Sequence, residues 1–152
     1  EHHQADPGVA VTRSPRQLTD PDLTPSIQHA LAATGIEPPT LRLELTETMI
    51  VDDLTRATST IESIAELGVG LLIDDFGTGY SSLTYLKRLP IVCIKIDRSF
   101  ITNICDDPAD QAIVAAVSEL AHRLEICTVA EGVETPEHLA AGRDWGCTLL
   151  AG

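Results

Sequence analysis

Short, nearly continuous apolar runs alternate along this chain with stretches whose apolar residues recur at helical spacing. The runs Val9–Thr12, Leu41–Leu45, Val69–Asp74, Ile91–Ile96, Ile126–Ala130 and Thr148–Leu150 read as strands. Helical patterns fill the gaps at about 22–34, 53–67, 81–89 and 109–124, with a last helix from Thr135 to about Asp144. Gly35 and Gly68 close the first two, Pro90 stops the third, and Thr135-Pro136 supplies an N-cap and a proline at the first helical position of the last. In the second, Leu54, Ala57, Ile61, Ile64 and Ala65 share a face; in the fourth, Ile113, Val114, Val117, Leu120, Ala121 and Leu124 do. Strands that are apolar throughout and separated by amphipathic helices build a parallel sheet covered by helices, so the fold class is α/β. Two architectures remain open, a doubly wound sheet and a (β/α) barrel. No interior linker, repeat or low-complexity tract divides the chain. One domain is expected from residue 9 to residue 152, with residues 1–8 as a lead-in segment.

Charge narrows the partners. Among 152 residues, 23 are acidic and 10 are Lys or Arg, for a formal charge of −13. That balance opposes nonspecific binding to nucleic acid or anionic lipid, which needs a basic surface. A phosphate-bearing partner would need a cation between it and the protein. The 43% hydrophobic content excludes a disordered acidic tail. No apolar run approaches the ~18–20 residues that span a bilayer. The four cysteines, Cys93, Cys105, Cys127 and Cys147, are 12, 22 and 20 residues apart, without the close pair that zinc sites use. Cys93 and Cys127 lie in apolar runs and read as reduced core thiols, which suits a cytoplasmic, reducing compartment.

Polar residues gather at the carboxyl ends of successive strands. Glu44 closes the second strand, Asp74 and Asp75 the third, and Glu131 the fifth, while Lys95 lies in the fourth. Alternation puts Cys93, Lys95 and Asp97 on the face opposite Ile94 and Ile96, and separates Glu44 from Leu43 and Leu45. One sheet face meets helices; the other delivers charge to a common interior. Converging carboxylates repel unless protonated or bridged by cations. Hard oxygen donors with no His or Cys cluster point to Mg²⁺, Mn²⁺ or Ca²⁺. The Asp74-Asp75 pair suits two-metal phosphoester hydrolysis, with Lys95 holding the attacking water or neutralising a phosphate oxygen. Asp97-Arg98-Ser99 reads as ordinary loop chemistry. Gly77-Thr78-Gly79-Tyr80-Ser81-Ser82 is neither a dinucleotide fingerprint nor a P-loop; it reads as a mobile loop beside the acid pair.

Four blocks in order carry a resemblance: Glu44-Leu45-Thr46-Glu47; Asp74-Asp75-Phe76-Gly77-Thr78-Gly79-Tyr80-Ser81-Ser82-Leu83; Lys95-Ile96-Asp97-Arg98-Ser99-Phe100; and Val129-Ala130-Glu131-Gly132-Val133-Glu134. Together they resemble the EAL domain family of bacterial cyclic di-GMP phosphodiesterases. The resemblance implies a partial EAL-type (β/α)₈, TIM-like barrel with about six of its strands, using two Mg²⁺ or Mn²⁺ ions. It implies Glu44 and Asp74 as ligands of one metal and Asp75 and Glu131 as ligands of the other. Lys95 matches the lysine that contacts the attacking water, Glu134 a supporting carboxylate, and Glu47 a glutamate steadying the Gly77–Leu83 loop, which the family links to dimerisation. The implied reaction is hydrolysis of cyclic di-GMP to linear pGpG in the cytoplasm, and the implied partners are cyclic di-GMP and a second copy of the chain.

Three departures bear on activity. The strand with the family's name motif, and its metal ligand, is expected upstream of Glu1. Thr12 stands where the family places a ligating Asn, and Ala151 where it places a Gln. These departures imply impaired turnover. The alternative is a degenerate EAL domain that binds cyclic di-GMP or a protein partner without cleaving the nucleotide.

Overall fold

Among the described residues, six parallel strands form one sheet whose order follows the chain: β1 (Val9–Thr12), β2 (Leu41–Thr46), β3 (Gly70–Phe76), β4 (Ile91–Ile96), β5 (Cys127–Glu131) and β6 (Leu149–Ala151). The computed structural model describes residues 9–12, 18, 20–52, 54–78 and 84–151. The lead-in segment 1–8, and residues 79–83 of the loop expected to serve dimerisation, lie outside the described residues. Sequential order settles the choice left open above. A doubly wound sheet reverses its strand order at a switch point, whereas a barrel adds each strand on the same side. This sheet is an arc of a barrel.

Helices connect the strands: α1 (Leu23–Thr34), α2 (Glu47–Asp52), α3 (Leu54–Glu66), α4 (Thr84–Arg88), α5 (Arg98–Thr102), α6 (Pro108–Arg123) and α7 (Pro136–Asp144). Their ends obey local chemistry. Gly35 closes α1 with its N–H donating to the Leu31 carbonyl at 2.9 Å. Asp107 caps α6 ahead of Pro108 by accepting from the Ala109 N–H at 2.8 Å. Thr135 caps α7 as expected, its Oγ1 accepting from the His138 N–H at 3.1 Å.

The outward sheet face supplies the main core. Leu43, Leu45, Leu71, Ile73 and Ile94 cluster with Leu23 and Ile27 of α1, Ile61 and Ile64 of α3, and Ala121 of α6. A second cluster joins Ile96 and Ala130 to Ile101 and Val114, beneath α5 and α6. On α6 the buried stripe is narrower than its apolar pattern suggests. Val114, Ser118 and Ala121 are buried, while Ile113 and Leu124 remain 38% and 37% exposed. One seam against the sheet has room for residues three and four apart, so the flanking positions face outward.

The expectation for the cysteines is also corrected. Cys93 and Cys127 stand directly opposite each other in the β4–β5 register, and they are joined as a disulfide with Cα atoms 4.4 Å apart. Register brings together two residues that are 34 positions apart in sequence. Among the described residues, no helix is long and apolar enough to cross a membrane.

Because Ile94 is 0% exposed on the helix-facing side, Ile94→Ala is expected to cost about 2–5 kcal/mol of unfolding free energy in urea titrations. Val92→Ala, at a position 46% exposed, should cost under about 1 kcal/mol. Equal losses would contradict the difference in burial between these two positions of β4.

Candidate active site

Parallel strands end together, so residues far apart in sequence meet where the carboxyl ends gather. Glu44 comes from β2, Asp74 and Asp75 from β3, Lys95 from β4 and Glu131 from the last position of β5. The Lys95 Nζ lies 3.1 Å from Glu44 Oε1, 3.0 Å from Asp74 Oδ1 and 2.6 Å from Glu131 Oε1. One ammonium thus joins three of the four expected metal ligands. Burial works against the charge on Lys95, but hydrogen bonds to Glu131, Asp74 and Glu44 outweigh it and hold the ammonium well above the ordinary lysine range.

Asp75 reaches the same site by an irregularity of the strand. Ile73 pairs with Ile94 and Phe76 with Ile96, so Asp74 and Asp75 together oppose the single residue Lys95. That is a β-bulge, and it suspends the alternation that would send adjacent side chains to opposite faces. Asp75 takes a left-handed backbone with φ of 54°, unusual for a residue with a Cβ. Carboxylate oxygens of Asp74, Asp75 and Glu131 consequently lie within 4.8 Å of one another. Burial, then the charges of Asp74, Asp97 and Glu131, raise the Asp75 pKa against the opposing pull of Lys95.

Asp97 has more to do than the sequence reading allowed. It caps α5, its Oδ1 accepting from the Ser99 N–H at 2.9 Å. Burial disfavours its charge, yet hydrogen bonds from Ser99 and from the Asp75 side chain, with the nearby Arg98, hold its pKa below the usual carboxylate value. The two carboxylates are thus shifted in opposite directions, Asp75 upward and Asp97 downward. The available signal was the strand parity that Asp97 shares with Lys95.

Glu47 heads α2 and is 1% exposed. Its Oε2 accepts from the Gly77 N–H at 3.0 Å, so it holds the start of the loop that follows β3. Gly77 has φ of +99°, and a Cβ there would lie 2.9 Å from the Phe100 ring, so neither backbone nor space admits a side chain. Tyr85 of α4 is buried beside this contact, and its hydroxyl finds no partner among the described residues. Burial and then the Glu47 charge push its pKa well up. No sequence signal singled it out. Glu134 lies three residues beyond Glu131, exposed and outside the Lys95 network among the described residues. Thr12 pairs in register with Glu44, and Ala151 with Glu131.

The EAL domain family model matches residues 1–152. The chain belongs to the EAL domain family. It is 43% identical over 144 residues to the cyclic di-GMP phosphodiesterase NbdA of Pseudomonas aeruginosa, an alignment covering 95% of this chain and 18% of NbdA. The PaMucR phosphodiesterase in complex with c-di-GMP superposes with a TM-score of 0.90 at 42% identity, covering 97% of this chain and 60% of that one. A manganese/c-di-GMP complex of BlrP1 from Klebsiella pneumoniae gives 0.88 at 33% identity, covering 94% and 37%. The chain therefore spans about a fifth of the curated relative's length. The EAL site's donors are carboxylate oxygens gathered around one ammonium, which is the chemistry of a hard divalent cation site.

Glu47→Gln keeps an oxygen acceptor for Gly77 and should preserve stability, whereas Glu47→Ala should cost about 1–3 kcal/mol and speed amide exchange at Gly77. Equal protection at Gly77 in both variants would show that this contact does not hold the loop. Lys95→Met removes the cation shared by three carboxylates. Its thermal midpoint should fall without metal, and Mn²⁺ should raise that midpoint more than it raises the unsubstituted chain's. Equal Mn²⁺ shifts would show that the ammonium does not neutralise the charge a metal would meet.

Proposed function

We propose that this EAL domain serves metal-dependent hydrolysis of one phosphodiester of cyclic di-GMP, giving linear pGpG, in the cytoplasm. The observation that carries the reading is the contact of Lys95 with Glu44, Asp74 and Glu131 at the carboxyl ends of four adjacent strands. The cyclic di-GMP named with NbdA and PaMucR supports the choice of substrate.

Glu44 and Asp74 would hold one Mg²⁺ or Mn²⁺, and Asp75 and Glu131 the other. When bound, the ions supply Lewis-acid polarisation of the phosphoryl oxygen and lower the pKa of water. The chain's own groups do the rest. Lys95 donates toward the attacking water or a phosphate oxygen, with its charge secured by its carboxylate partners. Glu47 fixes the start of the loop by accepting from the Gly77 N–H. Glu134, exposed on the loop after β5, would be the supporting carboxylate in this reading. The homodimer implied by the Gly77–Leu83 loop belongs to the same reading, and sedimentation with and without nucleotide reports on it.

Thr12 beside Glu44 and Ala151 beside Glu131 favour impaired turnover. A methyl group offers no oxygen to an ion, and a hydroxyl is a weaker donor than an amide carbonyl. With Mn²⁺, the chain should cleave cyclic di-GMP about 10–100-fold more slowly than a catalytically complete EAL domain assayed alongside. Lys95→Ala should remove what activity remains. Calorimetric binding of cyclic di-GMP without cleavage would replace this reading by a nucleotide receptor, and neither binding nor cleavage would overturn both. Cleavage at the comparison domain's rate would overturn the impairment alone.

A further inference from the structure

We propose that Cys93 and Cys127 form a reversible disulfide couple that is linked mechanically to the carboxylate site above it. The link to metal binding rests on the function proposed above; the couple itself does not. The two residues face each other in register across β4 and β5 and are bonded in the structure. Lys95 follows Cys93 by two positions, and Glu131 follows Cys127 by four, so alternation places all four side chains on one sheet face. Lys95 and Glu131 make the shortest ion pair of the network, at 2.6 Å. The bridge therefore ties together the two strands that carry this pair.

Size supplies the coupling. The Cα atoms of the bridged pair are 4.4 Å apart, below the roughly 4.7–4.9 Å that separates neighbouring strands. Two sulfurs at bonding distance become non-bonded on reduction and must separate to contact distances of roughly 3.5–4 Å. Cys93 is 0% exposed, so its thiol has no open space into which to swing. Cys127 is only half-buried, so the part of the separation that its rotation does not absorb falls on the β4–β5 spacing, and through it on Lys95 and Glu131.

The exposures also order the chemistry. Cys127 is half-buried and Cys93 fully buried, so an external reagent meets Cys127 first. The Cys127 thiolate attacks one sulfur of a low-molecular-weight disulfide, forming a mixed disulfide and releasing one thiolate. The Cys93 thiolate then attacks the Cys127 sulfur, closing the bridge and releasing the second. The two protein thiols lose two protons to solvent and two electrons to the external disulfide, which leaves as two thiols. Excess small thiol reverses both steps. In a reducing compartment, disulfides are mostly transient and redox-sensing, which is the behaviour inferred here. Cys105 is exposed on its own and Cys147 packs against Ser118 Oγ at 3.7 Å, so neither competes for the pair.

The test equilibrates the full chain with oxidised or reduced glutathione, then counts thiols by alkylation and mass spectrometry, titrates Mn²⁺ by calorimetry, and records amide shifts of Lys95 and Glu131. The oxidised chain should retain two of its four thiols and the reduced chain all four. Mn²⁺ affinity should differ about tenfold between the states, as changes outside the ligand shell can produce. Cys105→Ser with Cys147→Ser should keep this difference, and Cys93→Ala with Cys127→Ala should abolish it. If that double variant does not fold, Cys127→Ser alone serves. Four free thiols after oxidation would overturn the couple. Two thiols with equal Mn²⁺ affinity in both states would overturn the linkage. Absence of Mn²⁺ binding in both states would sink the proposed metal site instead; the linkage then stands if the amide shifts move with redox state and falls if they do not.

Discussion

A single ammonium decides whether the functional end of this sheet can exist. The fold aligns strand ends, and the chain places acids at three of them. Two carboxylates within 4.8 Å repel by about 3 kcal/mol at an effective dielectric near 20. Lys95 answers three such groups at hydrogen-bond distance, and its own burial is tolerated only because they surround it. The lysine and the acids are thus mutually required. One cation does not neutralise four anions, however. The remaining negative charge is the physical reason that the site calls for divalent ions, and it locates the functional share of a formal charge of −13.

Much of the architecture was legible because its signals are local. Continuous apolar runs marked all six strands to within a residue or two, and Gly35, Pro90 and Thr135-Pro136 marked helix ends. The barrel-or-open question was not local, since strand order depends on how each crossover packs. The short helices α2 and α5 escaped because a turn and a half shows no periodicity. On α6, counting apolar residues overestimated the buried stripe, because the pattern cannot show how wide a seam the sheet offers.

The site was legible to the same limit. Glu44, Asp74, Lys95 and Glu131 each occupy positions where parity and strand ends agree, and the structure brings all four together. Asp97 shares that parity, yet its obvious role as a helix cap concealed its contact with Asp75. The cysteine pair shows the opposite failure. Both residues sit in plainly apolar strands, and only the tertiary register of β4 with β5 shows that they face one another.

Asp75 shows how local strain serves the arrangement. Period-two alternation forbids adjacent residues of a regular strand from sharing a face, so two consecutive acids can converge only where the strand is irregular. The bulge supplies the irregularity, and a left-handed residue at its second position costs of order 1–3 kcal/mol. Neighbouring bonds hold that conformation. The Thr78 N–H and Oγ1 both donate to the Asp75 carbonyl, at 3.3 and 2.8 Å, and Glu47 secures Gly77 from the other side. Asp74 Oδ1 accepts from the Asp75 N–H at 3.1 Å, so the first acid helps to orient the second. Glu47 therefore supports Asp74 and Asp75 as well as the loop start, since without its hold on Gly77 the strained turn would lose its far anchor. Loop position and carboxylate geometry share one hinge. A displacement of the loop would reach the acids through three residues of backbone, without any change in the sheet beneath them.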